Sequence, residues 1–325
     1  MTSEDIRQSS YLAVLEMIKG GTVFFNDMYW DVEQTIEAAD QIGVRAEIGV
    51  TFMDIQTDEV KAQRIKFAEN WSDTADGRIK IAIAPHAIYT VGKELFTRCA
   101  DMARQNGHKL HFHLSETEQE VKDCLAAHGT TPVRLLKQWG VLDDNCVAAH
   151  VVHMDDDEIK MLADSGVTVV HNPCSNMKLG SGIFPSLRMM AGGVHVTLGT
   201  DGCSSDNILS MIDEMKTAAL LAKLSTGPDK LSMEEVMKWA TVNGAKAFGI
   251  DSGVIEEGKI ADAVLVNLND VHLLPCHNLI SNWVYSADTR CIDSVICDGR
   301  IIMRGGRVEG EEDIIENFKV HLNNR

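Results

Sequence analysis

The chain has 325 residues, 45% of them apolar and 24% charged, which is enough to bury the core of one large domain plus a small one. Its formal net charge of −18 argues against nucleic acid or an anionic membrane as a partner, because both require a basic patch on the protein. No run of 18 apolar residues predicts a membrane span, and the polar, acidic first 21 residues do not fit a signal peptide, so we expect a cytoplasmic protein.

The first 200 residues alternate between strand-like and helix-like patterns. Apolar, β-rich runs predict seven strands, at 22–28, 44–52, 79–85, 109–114, 146–150, 167–171 and 194–199. Between them, apolar residues recur at helical spacing, and several of these segments end near a glycine. Near-continuous apolar strands are typical of parallel sheets buried on both faces, and their alternation with helices indicates right-handed βαβ units.

A closed barrel of this architecture has eight strands, whereas the sequence predicts seven. The chain also opens on a helical pattern rather than on a strand. We therefore predict an α/β fold, a TIM-type (β/α) barrel that lacks its first strand. Such a barrel would leave two open sheet edges, and edges of this kind favour a homo-oligomer.

The sequence changes character near residue 254, where helical spacing gives way to short β-rich runs. The segments 259–268 and 294–308 predict strands, the second with Asp298-Gly299 as a hairpin turn. We therefore expect three parts, namely the barrel, a small β-sandwich remnant and a charged C-terminal helix, over residues 1–253, 254–310 and 311–325.

Side chains that can bind a metal or move a proton follow the predicted strands at the point where each strand ends. They are His86, His113, Glu116, His150, His171 and Asp201. The active site of a (β/α) barrel lies at the carboxyl ends of its strands, so this placement predicts one shared site. Imidazole and carboxylate groups are common zinc ligands and general acids or bases. Each histidine alone is also compatible with a core position, whereas the repeated placement favours a metal-dependent active site.

Two further features border the predicted site. The segment 171–182 (HNPCSNMKLGSG) is rich in small and polar residues, which predicts a loop that forms a pocket wall, with Lys178 as a solvated loop charge. The eight cysteines form no CxxC motif, so we interpret them as reduced and mostly buried thiols. Cys174 and Cys203 are expected to line the pocket rather than to react.

Several motifs in the chain carry a family resemblance. They are APH at 84–86, HFHLSETEQE at 111–120, AHVVHM at 149–154, HNPCSNMKLGSG at 171–182 and LGTDGCSSDN at 198–207. From about residue 1 to 310 the chain resembles the metal-dependent amidohydrolase superfamily. Within it, the chain resembles the 5-methylthioadenosine/S-adenosylhomocysteine deaminases and related chlorohydrolase-like enzymes.

The resemblance implies one divalent metal, zinc before iron or manganese, and a small nucleoside-like substrate. The implied reaction is hydrolytic deamination of an adenine nucleoside such as 5-methylthioadenosine or S-adenosylhomocysteine. A chlorohydrolase or a guanine-type deaminase on the same site is the alternative. The resemblance implies that His113 is a metal ligand and that Asp201 is both a ligand and the proton acceptor. It implies that His150 positions the water or is itself a ligand, and that Glu116 shuttles a proton to the ring nitrogen. His86 and Arg64 would contact the substrate.

One departure from the family pattern is that no HxH pair precedes residue 86, although the first strand of these enzymes carries one. This departure allows three interpretations. The chain is a truncated form of an active deaminase, or a short non-catalytic form that acts as a binding or oligomerising partner, or a hydrolase that completes its metal site in another way, for example through a partner subunit.

Overall fold

The computed structural model describes residues 1–71 and 73–324. Within them the strands are β1 (Phe24–Tyr29), β2 (Arg45–Phe52), β3 (Ile79–Pro85), β4 (Lys109–Leu114), β5 (Cys146–His150), β6 (Thr168–His171), β7 (His195–Leu198), β8 (Ala263–Val266), β9 (Ile292–Cys297) and β10 (Arg300–Met303). The α-helices are α1 (Ser3–Lys19), α2 (Val32–Ile42), α3 (Asp58–Glu69), α4 (Lys93–Asn106), α5 (Glu118–His128), α6 (Pro132–Gln138), α7 (Asp156–Asp164), α8 (Pro173–Leu179), α9 (Ser186–Ala191), α10 (Met211–Thr226), α11 (Met233–Ala240), α12 (Val242–Ala247), α13 (Leu279–Tyr285) and α14 (Glu311–Asn323).

Strands β1 to β7 form one parallel sheet in the order in which they occur along the chain. This order confirms the predicted α/β fold with seven consecutive parallel strands. Every residue of β2 is buried, because helices cover one face of the sheet and the opposite face lies inside the curled sheet. Within the described residues, β1 and β7 each pair on one side, so they form the two edges of the sheet.

The segment after residue 254 forms a separate antiparallel sheet of order β10-β9-β8. Asp298 and Gly299 join β9 to β10 with φ values of 53° and 74°, as expected for the predicted hairpin turn. Helix α14 packs against α1, where His321 Nε2 lies 2.6 Å from Asp5 Oδ1. A small C-terminal sheet and a terminal helix are therefore present, while the proposed domain limits stay a prediction.

The prediction of a loop over 171–182 was wrong for the seven residues Pro173–Leu179, which form helix α8. Pro173 occupies the first turn of this helix, where its missing N–H has no cost, and Gly180 ends the helix at φ +68°. Lys178 therefore lies on a helix, where its exposed ammonium donates a hydrogen bond of 2.9 Å to Ser204 O. Small polar residues at both helix ends masked the short helix in the sequence.

Two other expectations concern membranes and thiols. Within residues 1–71 and 73–324, none of the helices is long and apolar enough to cross a bilayer. All eight cysteines are free thiols, and five of them are buried. Cys174 is half-buried and Cys203 is exposed.

Candidate metal centre

Three side chains from different strands converge at the carboxyl end of the large sheet. His113 lies in β4, His150 ends β5, and Asp201 follows β7; one ligand atom of each lies within 4.8 Å of the other two. Neighbouring strands are about 4.8 Å apart, so β4 and β7 would be about 14 Å apart in a flat sheet. The convergence of His113 and Asp201 therefore requires the sheet to curl, as the strands of a barrel do.

The imidazole of His113 is oriented by a backbone carbonyl. Its Nδ1 lies 3.0 Å from His86 O, which can only accept, so Nδ1 carries the proton and Nε2 keeps its lone pair. Burial, followed by the nearby His150 and His111, lowers the pKa of His113 to about 3. The ring is therefore neutral at physiological pH, which is the form that binds a metal.

His150 is held in the same way by a side chain of α8. Its Nδ1 lies 2.9 Å from Asn176 Oδ1, which leaves Nε2 facing the centre. The two imidazole rings of His113 and His150 stack, with their centroids 5.4 Å apart. Asn176 is fully buried and belongs to the segment that the sequence predicted to be a loop, so its role could not be inferred from the sequence.

Asp201 accepts three short hydrogen bonds. Ser175 Oγ and Ser205 Oγ donate to Oδ2 at 2.7 and 2.6 Å, and Gly202 N donates to Oδ1 at 2.7 Å. Burial opposes ionisation of Asp201, but the hydrogen bonds from Ser205 and Ser175 and the nearby His150 hold its pKa below the usual value. Asp201 is therefore an ionised, pre-oriented carboxylate. Ser175 and Ser205 were missed by sequence reasoning, since a single serine in a polar segment gives no specific signal.

Glu116 lies at the border of this centre. Its Oε2 is 3.9 Å from His150 Nε2, and its Oε1 accepts a hydrogen bond of 3.2 Å from Ser181 Oγ. The Glu116 carboxylate is thus close to His150 Nε2, the ring atom that the hydrogen bond to Asn176 leaves free. This position suits a group that exchanges a proton with something bound at the centre.

His86 adjoins His113, whereas Arg64 belongs to a different neighbourhood. The rings of His86 and His113 are 4.8 Å apart, and His86 Nδ1 lies 2.9 Å from Thr90 Oγ1. Arg64 donates to Thr51 O at the end of β2, and its guanidinium lies 5.5 Å from the Trp30 ring centroid. Among the described residues, none of the hydrogen bonds or ring contacts of Arg64 reaches the other six candidates.

His171 belongs to the core rather than to the metal-binding group. It is 1% exposed and stacks on Phe184 at a centroid distance of 4.2 Å. Burial, followed by the nearby His150, lowers the pKa of His171 to about 3. The end-of-strand position that His171 shares with His150 therefore did not distinguish a histidine of the converging group from a packed histidine.

The backbone at the centre is strained. Ser115, His150, Val151 and Asp201 have φ values of 48°, 72°, 45° and 61°. L-residues rarely adopt this left-handed region, and such residues are retained where the surrounding structure and the function require them. Here they occur where β4, β5 and β7 end, beside each of the three converging side chains.

The donor set fits a divalent transition metal. Two imidazoles whose Nε2 atoms are left free by the hydrogen bonds of their Nδ1 atoms, together with one ionised carboxylate, are the ligand types found in catalytic zinc sites, where three protein ligands leave one open position. The hydrogen bonds of the distal atoms to His86 O, Asn176 and Ser175 match the way proteins usually orient metal ligands.

A second group of donors lies next to the centre and was not foreseen from the sequence. Cys174, Asp206 and Glu214 bring one ligand atom each within 4.8 Å of the others. Burial, followed by the neighbouring Asp206, raises the pKa of Glu214 to about 9. We interpret Asp206 and Glu214 as carboxyl groups that share a proton, because proton sharing accounts for the buried oxygens that otherwise have no partner.

Comparisons with known proteins identify the family and relatives of this chain. Residues 1–302 match the Amidohydrolase family. A 5'-deoxyadenosine deaminase from Methanosphaera stadtmanae is 44% identical over 318 residues, which cover 96% of this chain and 75% of the relative. A 5-methylthioadenosine/S-adenosylhomocysteine deaminase from Desulforudis audaxviator is 41% identical over 313 residues, which cover 95% of this chain and 73% of the relative.

Solved structures share the fold. A zinc-bound adenosine deaminase from Xanthomonas campestris superposes with a TM-score of 0.95 and 32% identity, over 100% of this chain and 76% of that chain. An atrazine chlorohydrolase from Arthrobacter aurescens complexed with zinc superposes with a TM-score of 0.90 and 25% identity, over 98% of this chain and 77% of that chain.

Proposed function

Because the chain belongs to the amidohydrolase family, we propose that its centre binds one divalent metal and hydrolytically deaminates an adenine nucleoside. The observation that carries this proposal is the convergence of His113, His150 and Asp201 within 4.8 Å, in a chain more than 40% identical to curated adenosine-type deaminases. We propose zinc as the metal, since the donor set suits it and the Xanthomonas campestris adenosine deaminase contains it.

A bound metal would act as a Lewis acid and would lower the pKa of water at the open position. Asp201 is placed to take up a proton from that water, because it is ionised and its oxygens are fixed by three donors. We assign His150 to the metal, or to orienting the water through its Nε2. His113 is assigned as a ligand through the Nε2 atom that its hydrogen bond to His86 O leaves free.

We propose that Glu116 delivers the proton to the ring nitrogen of adenine. Its carboxylate lies 3.9 Å from His150 Nε2 and is steadied by the hydroxyl of Ser181. As water adds to the adjacent carbon, Glu116 would pass one of the two protons of that water to the ring nitrogen, which neutralises the charge that develops there. Asp201 would pass the other proton to the exocyclic amino group, so that the carbon–nitrogen bond breaks, ammonia leaves and the oxygen stays as a carbonyl. His86, which adjoins His113, and Arg64, beside Trp30, are the proposed substrate contacts.

We propose 5'-deoxyadenosine, 5-methylthioadenosine or S-adenosylhomocysteine as the substrate, since the relatives at 41–44% identity are named for these compounds. The alternative of a chlorohydrolase or guanine-type deaminase has weaker support. The chlorohydrolase structure is 25% identical to this chain and shares its fold.

We also propose that one further parallel strand lies between β1 and β7 and closes the barrel. Both edge strands present unpaired N–H and C=O groups on one side among the described residues, and such edges recruit another strand. A strand at this position would border the metal centre from the side opposite His113. It could come from the same polypeptide or from a second copy in a homo-oligomer.

The proposed reaction is tested by loading the purified chain with zinc, adding 5'-deoxyadenosine and measuring ammonia release. Asp201→Asn should lower the turnover number by about 10²- to 10⁴-fold, because the amide cannot take up a proton. Asp229→Asn makes the same chemical change at an exposed loop position and should leave turnover unchanged. Equal turnover in Asp201→Asn and the unaltered chain would contradict the proposed mechanism.

A further inference from the structure

The carboxylate of Glu120 holds the turn that connects β4 to α5. Its Oε1 accepts a hydrogen bond of 2.9 Å from Ser115 N, and its Oε2 accepts one of 2.7 Å from Glu116 N. Glu120 is 7% exposed and Ser115 is fully buried. Two adjacent backbone N–H groups are thus fixed by one buried carboxylate, directly at the root of the Glu116 side chain.

Two other helix starts in the chain show a common arrangement for a carboxylate at this position. The third residue of α1, Asp5, accepts from the N-cap Thr2 N at 2.6 Å. In α7, Glu158 accepts from the N-cap Asp155 N at 3.0 Å. Both are complete capping boxes, in which the N-cap side chain and the third residue bond to each other's backbone.

Helix α5 has the same sequence signature but a different outcome. Thr117 is the N-cap and its Oγ1 accepts from Glu120 N at 3.1 Å, which is half of a capping box. Among the hydrogen bonds of the described residues, none joins Thr117 N to the Glu120 carboxylate. That carboxylate reaches past the N-cap to Ser115 and Glu116 instead, so it stabilises the turn before the helix rather than the helix itself.

The turn held by Glu120 also links two strands of the centre. Ser115 has a φ of 48°, and its carbonyl accepts hydrogen bonds of 3.0 Å from both Val152 N and His153 N. These two residues follow His150. The peptide groups around Ser115 are therefore bonded to α5 on one side and to the end of β5 on the other, which fixes Glu116 relative to His150.

We propose that Glu120 is a positioning residue that orients Glu116 for proton transfer; this inference rests on the proposed function for the role of Glu116. The two charge-assisted hydrogen bonds offset the strain of the left-handed Ser115 and hold the Glu116 backbone in one conformation. Glu120 itself touches neither the metal ligands nor the space above them in the contacts described, so its effect passes through Glu116.

The test compares Glu120→Gln with Glu118→Gln, an exposed position on the same helix whose carboxylate pairs with Lys122. A glutamine keeps the shape but has one acceptor oxygen, so one of the two buried N–H groups loses its acceptor. For Glu120→Gln we expect kcat to fall by about 10- to 100-fold, with KM and bound metal unchanged. Glu118→Gln should match the unaltered chain.

A second measurement does not depend on turnover. Amide hydrogen exchange, followed by mass spectrometry of the peptide that carries Ser115 and Glu116, should be faster in Glu120→Gln than in Glu118→Gln. Unchanged exchange together with unchanged kcat would overturn the proposal. A Glu120→Gln variant that binds less metal and also has a lower kcat and a changed KM would overturn the proposal too, because such a result would show a general structural role for Glu120. If the unaltered chain does not deaminate the substrate, the proposed function fails. The exchange measurement then decides the positioning role alone: faster exchange in Glu120→Gln than in Glu118→Gln supports it, and equal exchange overturns it.

Discussion

Left-handed backbone conformations occur at both ends of the parallel strands, but different residue types adopt them at the two ends. At the amino ends, left-handed turns into β4 and β7 are made by Gly107 and Gly193, with φ values of 70° and 76°. At the carboxyl ends, Ser115, His150 and Asp201 adopt left-handed φ values. Glycine adopts these conformations without strain, whereas other residues do so at a cost of about 1–2 kcal/mol each.

The amino ends of the strands therefore serve only to connect helices to strands, whereas the carboxyl ends carry the side chains of the candidate centre. Where a turn only reverses the chain, glycine is sufficient. Where the turn must also place an imidazole or a carboxylate at the candidate centre, the strain is retained, and at Ser115 we propose that the hydrogen bonds to Glu120 offset it. Substitutions at the two ends should therefore affect different measured properties.

The largest expected effect is on metal binding at the carboxyl end. His113→Ala removes one of the three proposed ligands, so the dissociation constant of this variant for zinc should rise by more than about 100-fold, which is more than changing an outer partner would cause. His277→Ala, at an exposed histidine, should leave zinc binding unchanged. Equal zinc affinity in both variants would remove His113 from the centre.

The next effect concerns acid stability at the same end. The pKa of His171 is near 6.5 in the unfolded chain and about 3 when folded, so the unfolded state alone takes up a proton as the pH falls below 6.5. Stability contributed by the neutral ring is thus lost between pH 6.5 and 3, at up to about 1.4 kcal/mol per pH unit. His171→Phe should reduce this slope, measured by urea unfolding at pH 7 and pH 5; an unchanged slope would contradict the assignment.

The smallest effect is expected at the amino end. Gly107→Ala meets no atom within 4 Å of the new Cβ, so its cost is backbone strain alone, about 1–2 kcal/mol of unfolding free energy. Zinc affinity and kcat should not change. A loss of zinc binding without a loss of stability would break the distinction between the two ends.

The sequence was informative wherever apolar periodicity decided the structure. Strands β3, β4 and β5 begin and end where the apolar runs do, because buried parallel strands leave a continuous apolar signature. The hairpin at Asp298-Gly299 was predictable for a local reason, since few residue pairs adopt the required turn.

The parts that the sequence did not predict depend on contacts between distant segments. Ser175 and Asn176 orient Asp201 and His150 across 26 residues each, and nothing local marks them for that role. The hydrogen bonds of Glu120 also could not be predicted from the sequence. Its spacing from Thr117 predicts a capping box, but the tertiary position of the preceding turn diverts its carboxylate to Ser115 and Glu116.

The most direct test of the centre is the zinc content per chain of the purified 325-residue protein after dialysis, measured by elemental mass spectrometry. The convergence of His113, His150 and Asp201 predicts about one zinc per chain, and essentially none in His113→Ala. An unaltered chain that retains no zinc, or a His113→Ala variant that retains as much as the unaltered chain, would contradict a metal centre built from these three residues.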